Sequence, residues 1–137
     1  AYDVHSSASF YRDTGCMVVS CGTEPPKGQR AVSAIMEQLN GLQHDIPESE
    51  LEKARELSKG RMLLRMEDSR SVAMWMGAQE SLTGRVHTIG EVVERLDNVS
   101  TEDLERVAGD IIREDKLNLA VVGPYRSDRR FRSLLKV

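Results

Sequence analysis

A hairpin signal at the front of the chain constrains the fold more than any other stretch. Residues 2–11 and 16–22 both alternate with the period of two that a pleated strand imposes, and Arg12-Asp13-Thr14-Gly15 between them is a polar turn closed by glycine. In the second run Cys16, Val18 and Ser20 alternate with Met17, Val19 and Cys21, so both faces are apolar enough to want cover. Such a strand is expected inside a sheet with a neighbour on either side. The first strand starts at residue 2 with no element before it. An open sheet edge or face is therefore predicted, to be closed by another part of a longer polypeptide or by self-association through the exposed strand.

Beyond the breaker Glu24-Pro25-Pro26-Lys27-Gly28 the period changes to that of a helix. Val32, Ile35, Met36, Leu39 and Leu42 form one stripe, expected to cover a sheet face. After Gly41 and a loop at His44-Asp45-Ile46, Pro47 and the acids Glu48, Glu50 and Glu52 mark the positive end of a long helix. It runs through Leu51, Leu57, Met62 and Met66, bends near Glu67-Asp68-Ser69, resumes through Val72, Trp75, Met76 and Leu82, and stops at Gly84. Thr88-Ile89-Gly90-Glu91 is a capping box opening a short helix, and Ser100 with Glu102 and Asp103 opens another whose stripe is Leu104, Val107, Ala108, Ile111 and Ile112. Residues 117–122 read as a third strand ended by Gly123-Pro124, followed by a basic tail with a final turn at 131–135. Strands at the two ends with helices between them predict an α+β layer, an antiparallel sheet with helices packed on one side.

At 137 residues the chain suits one core without disulfide or metal staples. Its 39% hydrophobic and 30% charged residues contain no apolar run of the roughly 20 residues a membrane-spanning helix needs, so no membrane partner is expected. A net charge of -3 gives no field for nucleic acid, although Arg126, Arg129, Arg130, Arg132 and Lys136 make the end locally basic. Cys16 and Cys21, five positions apart on one strand, point to opposite faces and lack zinc-type spacing. They read as free thiols of a reducing, cytoplasmic compartment.

Candidate chemistry is sparse. His5, His44 and His87 have no second histidine at helical spacing, and in His44-Asp-Ile-Pro-Glu48 and His87-Thr-Ile-Gly-Glu91 the acid begins a helix, so one histidine and one carboxylate fall short of a catalytic zinc set. Ser6, Ser7 and Ser9 lie beside His5 along a strand and cannot form a triad, and no glycine-rich phosphate loop occurs. Met62, Met66, Met74 and Met76 with Trp75 are expected to fill a core in preference to forming an adaptable peptide surface. Glu67 and Asp68 beside Arg65 and Arg70 read as a solvated ion-pair network.

Taken in order, Ala1-Tyr2-Asp3-Val4, Ser9-Phe10-Tyr11-Arg12-Asp13-Thr14-Gly15, Cys21-Gly22-Thr23, the stretch Ile46-Pro47-Glu48-Ser49-Glu50-Leu51-Glu52-Lys53-Ala54-Arg55, Lys59-Gly60-Arg61-Met62-Leu63-Leu64, Val99-Ser100-Thr101-Glu102-Asp103-Leu104 and Leu119-Ala120-Val121-Val122-Gly123-Pro124 resemble the insulinase/pitrilysin (inverzincin) family of zinc metallopeptidases, in particular its mitochondrial-processing-peptidase-like bacterial members. The resemblance implies the later part of the second, noncatalytic domain of a clamshell, ferredoxin-like in topology, over residues 1–124, with 125–137 a basic tail outside it. The inverted zinc motif His-x-x-Glu-His is absent here and belongs, by that resemblance, to the other domain. What is implied is a fragment of a zinc endopeptidase, inactive alone, that walls a peptide-holding chamber opposite the zinc. Zinc sits in the parent protein's other domain and no cofactor in this chain; the partners are a catalytic domain, of the same or a partner chain, and a peptide substrate.

One site residue carries over. Tyr2 matches the tyrosine of the family's Gly-Leu-Ala-Tyr stretch, which implies a substrate-binding phenol that donates to a peptide carbonyl. Read as a strand residue only, Tyr2 is an aromatic at a sheet end with a wet hydroxyl. No catalytic and no metal residue is expected in the chain. The rival readings are a noncatalytic scaffold or core subunit of a peptidase-like complex and a freestanding α+β binding module.

Overall fold

Three local signals set the helix boundaries. Asp68, in extended backbone, accepts from the Ser71 amide at 2.8 Å and so begins a new helix where an apolar stripe alone would have continued. Gly84 ends that helix at φ 66, a left-handed conformation that glycine adopts without a Cβ clash. Thr88 and Glu91 close a full capping box, the Thr88 hydroxyl accepting from the Glu91 amide at 3.2 Å while the Glu91 carboxylate accepts from the Thr88 amide at 2.7 Å.

The computed structural model describes residues 1–44 and 46–136, so part of the loop expected at His44-Asp45-Ile46 and the last residue of the tail lie outside the described residues. Strands β1 (Asp3–Phe10) and β2 (Gly15–Gly22) form a two-stranded sheet. Helices α1 (Gly28–Gly41), α2 (Glu48–Arg65), α3 (Ser69–Thr83), α4 (Ile89–Asp97), α5 (Thr101–Ile111) and the single turn α6 (Arg129–Arg132) follow, so the class is α+β as the alternation of periods predicts.

Four expectations need correction. Residues 117–122 form no strand: Leu117 is extended at φ -74, ψ 129, but no ladder is made, and alternation gives a segment the capacity to pair without supplying the pairing partner. Strand β2 accordingly has one neighbour, not two. Met74 and Met76 are 68% and 45% exposed and fill no core, because α3 buries none of its residues. The bend between α2 and α3 is also built otherwise than expected, with Asp68 capping a helix where an ion-pair network was predicted.

The chain divides into two compact units. One comprises Ala1–Ala8, Met17–Ile46 and Glu102–Val137. Its buried side chains are Met36 of α1, Ala108 of α5, Ile112 and Phe131 of α6. Here the tail is pinned by Tyr125, whose hydroxyl donates to the Pro25 carbonyl at 2.7 Å and whose ring meets Phe131 edge-on with centroids 4.9 Å apart. Gly28 and Gly123 make room for that ring, since a Cβ on either would lie 2.2 Å from the Tyr125 hydroxyl or 2.7 Å from its ring edge.

The other unit comprises Ser9–Cys16 and Pro47–Thr101, with Leu51 buried. Helices α2 and α4 pack together. The Arg55 guanidinium donates to the Val99 carbonyl and to Glu48 Oε1 at 3.1 Å, and Lys59 Nζ reaches Asp97 Oδ1 at 2.7 Å and Glu56 Oε1 at 2.5 Å. The hydrogen bond to Asp97 and then that to Glu56 raise the Lys59 ammonium above the ordinary lysine range.

Candidate functional site

Tyr2 stands at the open end of the hairpin because its amide donates to the Gly22 carbonyl at 2.7 Å, continuing the β1–β2 pairing by one residue. The residue is 78% exposed, and its hydroxyl donates to Glu24 Oε1 over a long 3.4 Å. The other carboxylate oxygen of Glu24 takes Lys27 Nζ at 2.9 Å, across the short 3-10 turn that Pro25 and Pro26 begin. A bond of that length is weak, so the phenol is free to exchange the carboxylate for another acceptor. A phenol so placed can donate to a carbonyl and stabilise negative charge that develops on its oxygen.

Glu24 and Lys27 are site residues that the sequence reading missed. The signal was available in the hairpin register: once Tyr2 pairs with Gly22, the residue two beyond Gly22 falls beside the phenol.

Among the described residues the three histidines stand apart from one another's candidate partners. His5 Nδ1 lies 3.2 Å from Asp3 Oδ2 with both side chains exposed, and His44 is exposed. His87 is largely covered, its Nδ1 3.8 Å from Glu91 Oε2. That Glu91 oxygen already accepts from the Thr88 amide and hydroxyl, at 2.7 and 3.1 Å. These hydrogen bonds, and after them the charges of His87 and Arg85, hold the Glu91 carboxyl below the usual carboxylate range. Glu48, the acid of the other zinc-like spacing, is paired with Arg55. Both acids thus serve helix beginnings. Among the described residues no three His, Cys, Asp or Glu side chains form a group that could hold a metal ion, so the residues present do not fit a zinc site.

Ser6, Ser7 and Ser9 are exposed on β1, and the thiols are free, Cys16 exposed and Cys21 half-buried. No helix among the described residues is long and apolar enough to cross a membrane.

Comparison with known proteins adds what the geometry lacks. A family model described as the peptidase M16 inactive domain matches residues 1–58. The uncharacterized zinc protease YmxG of Bacillus subtilis (strain 168) is 33% identical over 125 residues, 90% of this chain and 30% of that protein. An uncharacterized zinc protease of Mycobacterium leprae is 27% identical over 138 residues, 100% of this chain and 31% of its own length, so that similarity includes the basic tail. The mitochondrial-processing peptidase subunit beta of Pongo abelii is 29% identical over 133 residues, 95% of this chain and 27% of that protein. The chain thus spans about three tenths of the length of the curated relatives it matches.

Proposed function

Because the chain carries an insulinase-family, mitochondrial-processing-peptidase-like C-terminal domain, we propose that it forms the noncatalytic wall of a substrate-enclosing chamber in a zinc metalloendopeptidase. The observation that carries this reading is a coincidence over residues 1–58: the stretch that matches an inactive peptidase domain also presents an exposed, weakly held Tyr2 phenol. The zinc would be held by another domain of the parent protein or by a partner chain, and would supply an activated water there. This chain's contribution is to bind and orient. Tyr2 leaves Glu24, donates to the scissile carbonyl and stabilises the charge that forms there. The natural partners are then a zinc-bearing domain and a peptide, in a cytoplasmic setting.

The test has two arms. The chain alone, with zinc and a quenched fluorogenic peptide, gives no cleavage; turnover by carefully purified material refutes the reading. In the zinc-bearing parent, Tyr2→Phe lowers kcat by about 10²-fold with KM little changed, as loss of one transition-state donor does. An unchanged kcat removes Tyr2 from the mechanism.

A second reading, a noncatalytic core or scaffold subunit of a peptidase-like complex, is favoured by the word subunit in the name of the mitochondrial relative. It predicts that the chain co-purifies with a second polypeptide and that Tyr2→Phe changes nothing.

A further inference from the structure

We propose that residues 117–136 form a docking groove for an extended acidic peptide segment, separate from the Tyr2 end of the hairpin and independent of the peptidase reading. A groove of about 630 Å³ lies along this stretch, with Leu117, Leu119, Val121 and Leu135 as apolar lining, Arg126 and Arg132 as its cations and Asp128 as its one acid. Three features define its occupant.

The first is backbone. Among the described residues the amides of Asn118 to Val122 donate to no backbone carbonyl, and this stretch belongs to no helix or strand. A stretch outside helix and sheet whose amides are open, and which leaves Leu117 in extended backbone, is paired most directly by an extended chain, the strand-addition mode in which main-chain bonds supply affinity and alternate side chains enter pockets. Leu119 and Val121, 38% and 42% exposed, stand at alternate positions on this stretch and present the apolar face such a chain would cover.

The second is charge. Residues 125–136 carry Arg126, Arg129, Arg130, Arg132 and Lys136 against the single acid Asp128, in a chain whose net charge is -3. Only Arg132 has an ion-pair partner among the described residues, Asp128 at 2.7 Å; the other four cations are exposed and carry none. Guanidinium groups recognise carboxylates in paired, parallel hydrogen bonds, so the missing counter-charge is best supplied by Asp or Glu side chains. A peptide also brings apolar side chains for Leu117, Leu119, Val121 and Leu135, which a polyphosphate backbone does not supply.

The third is rigidity. Buried Phe131, the Tyr125 hydrogen bond to the Pro25 carbonyl and the ring contact between them hold the arginine-bearing turn in place. The backbone that bears the cations is therefore held, and a partner has only their side chains to order.

The experiment uses the full chain and a fluorescein-labelled octapeptide of alternating Glu and Leu, read by anisotropy. Saturable binding is expected, weakening at least about tenfold when salt rises from about 50 to 500 mM, as screening of exposed charges requires. Arg126→Glu with Arg132→Glu abolishes it, whereas Arg61→Glu with Arg95→Glu, exposed arginines outside the groove, leaves it within about twofold. The milder Arg126→Gln with Arg132→Gln pair lowers affinity while the folded circular dichroism spectrum is retained, its melt shifted only by the loss of the exposed Asp128–Arg132 pair, keeping the test decisive should charge reversal unfold the unit. Equal binding of the Gln-for-Glu peptide, equal loss in both Glu pairs, tighter binding of a thymidine oligonucleotide of the same charge, or no binding at millimolar peptide overturns the proposal.

Discussion

Gly28→Ala places one methyl where the Tyr125 ring now sits. The Gly28 backbone is ordinary right-handed helix, φ -56 and ψ -45, so alanine meets no conformational penalty there and gains up to about 1 kcal/mol of helix propensity. Space decides the sign. The new Cβ would lie 2.2 Å from the Tyr125 hydroxyl and 3.2 Å from Cζ. The ring must leave, losing the 2.7 Å bond to the Pro25 carbonyl, worth about 1 kcal/mol net, and the edge contact with Phe131, worth about another 1. Phe131, only 5% exposed, then loses part of a burial worth roughly 1.5–3 kcal/mol. The net expectation is a loss of about 2 kcal/mol. Urea denaturation followed by circular dichroism measures it, and faster hydrogen exchange at the Phe131 and Arg132 amides, which bond to the Asp128 carbonyl, localises it. In a Tyr125→Phe background the 2.2 Å clash is gone and the penalty of Gly28→Ala shrinks, giving a coupling energy between the two positions. A stabilising Gly28→Ala, or additive effects in that cycle, would show that Tyr125 does not sit against α1.

Thr88→Ala removes the hydroxyl that caps α4 and costs about 1 kcal/mol, measured by denaturant midpoint, while Thr88→Ser retains most of it. Acid stability follows from three carboxyls held below their usual range: Asp68 by hydrogen bonds from Ser71, Glu91 by those from Thr88, and Asp128 by its bond to Arg132. Depressed folded values mean that their contribution is complete above about pH 4.5 and fades as pH falls through the folded values, so the urea midpoint should drop below about pH 4 and drop less in Asp68→Asn. The raised Lys59 works in the opposite sense: its contribution is present at neutral pH and disappears as pH rises beyond the ordinary lysine range, an alkaline loss that Lys59→Met should abolish.

The legible parts of this fold are those governed by neighbours in sequence. Thr88 with Glu91, the Gly84 stop and the acids after Pro47 each act within one helical turn, and the structure places helix ends at all three. What resisted reading depends on residues far apart. The 117–122 stretch has the alternation of a strand, yet a strand exists only through a partner that no local pattern names. The Tyr2–Glu24 contact follows from hairpin register, and the Tyr125–Pro25 bond joins residues 100 positions apart. The final turn expected at 131–135 overlaps a helical turn at Arg129–Arg132, but its anchoring by buried Phe131 and by Tyr125 on the Pro25 carbonyl follows from contacts that charge composition does not reveal.

Adjacent residues of one helical stripe put this distinction to the sharpest test. Ile111 and Ile112 have the same side chain and, by periodicity, the same apolar face, but Ile112 is 6% exposed and Ile111 43%. Burial, not pattern, sets the energy of truncation. Ile112→Ala removes atoms from a packed site and should cost about 2–4 kcal/mol, whereas Ile111→Ala removes atoms already half in water and should cost less than about 1. Ile111 is the last residue of α5 and Ile112 the first beyond it, so helix propensity touches only Ile111, where alanine is favoured by a few tenths of a kcal/mol at most, about an order of magnitude below the burial difference. Equal losses at high dilution would mean that the 43% exposure of Ile111 is wrong. A loss at Ile111 that grows with protein concentration would instead mean that the half-open stripe is covered by a second copy, because only an association between copies makes a side chain's contribution depend on how many chains are present.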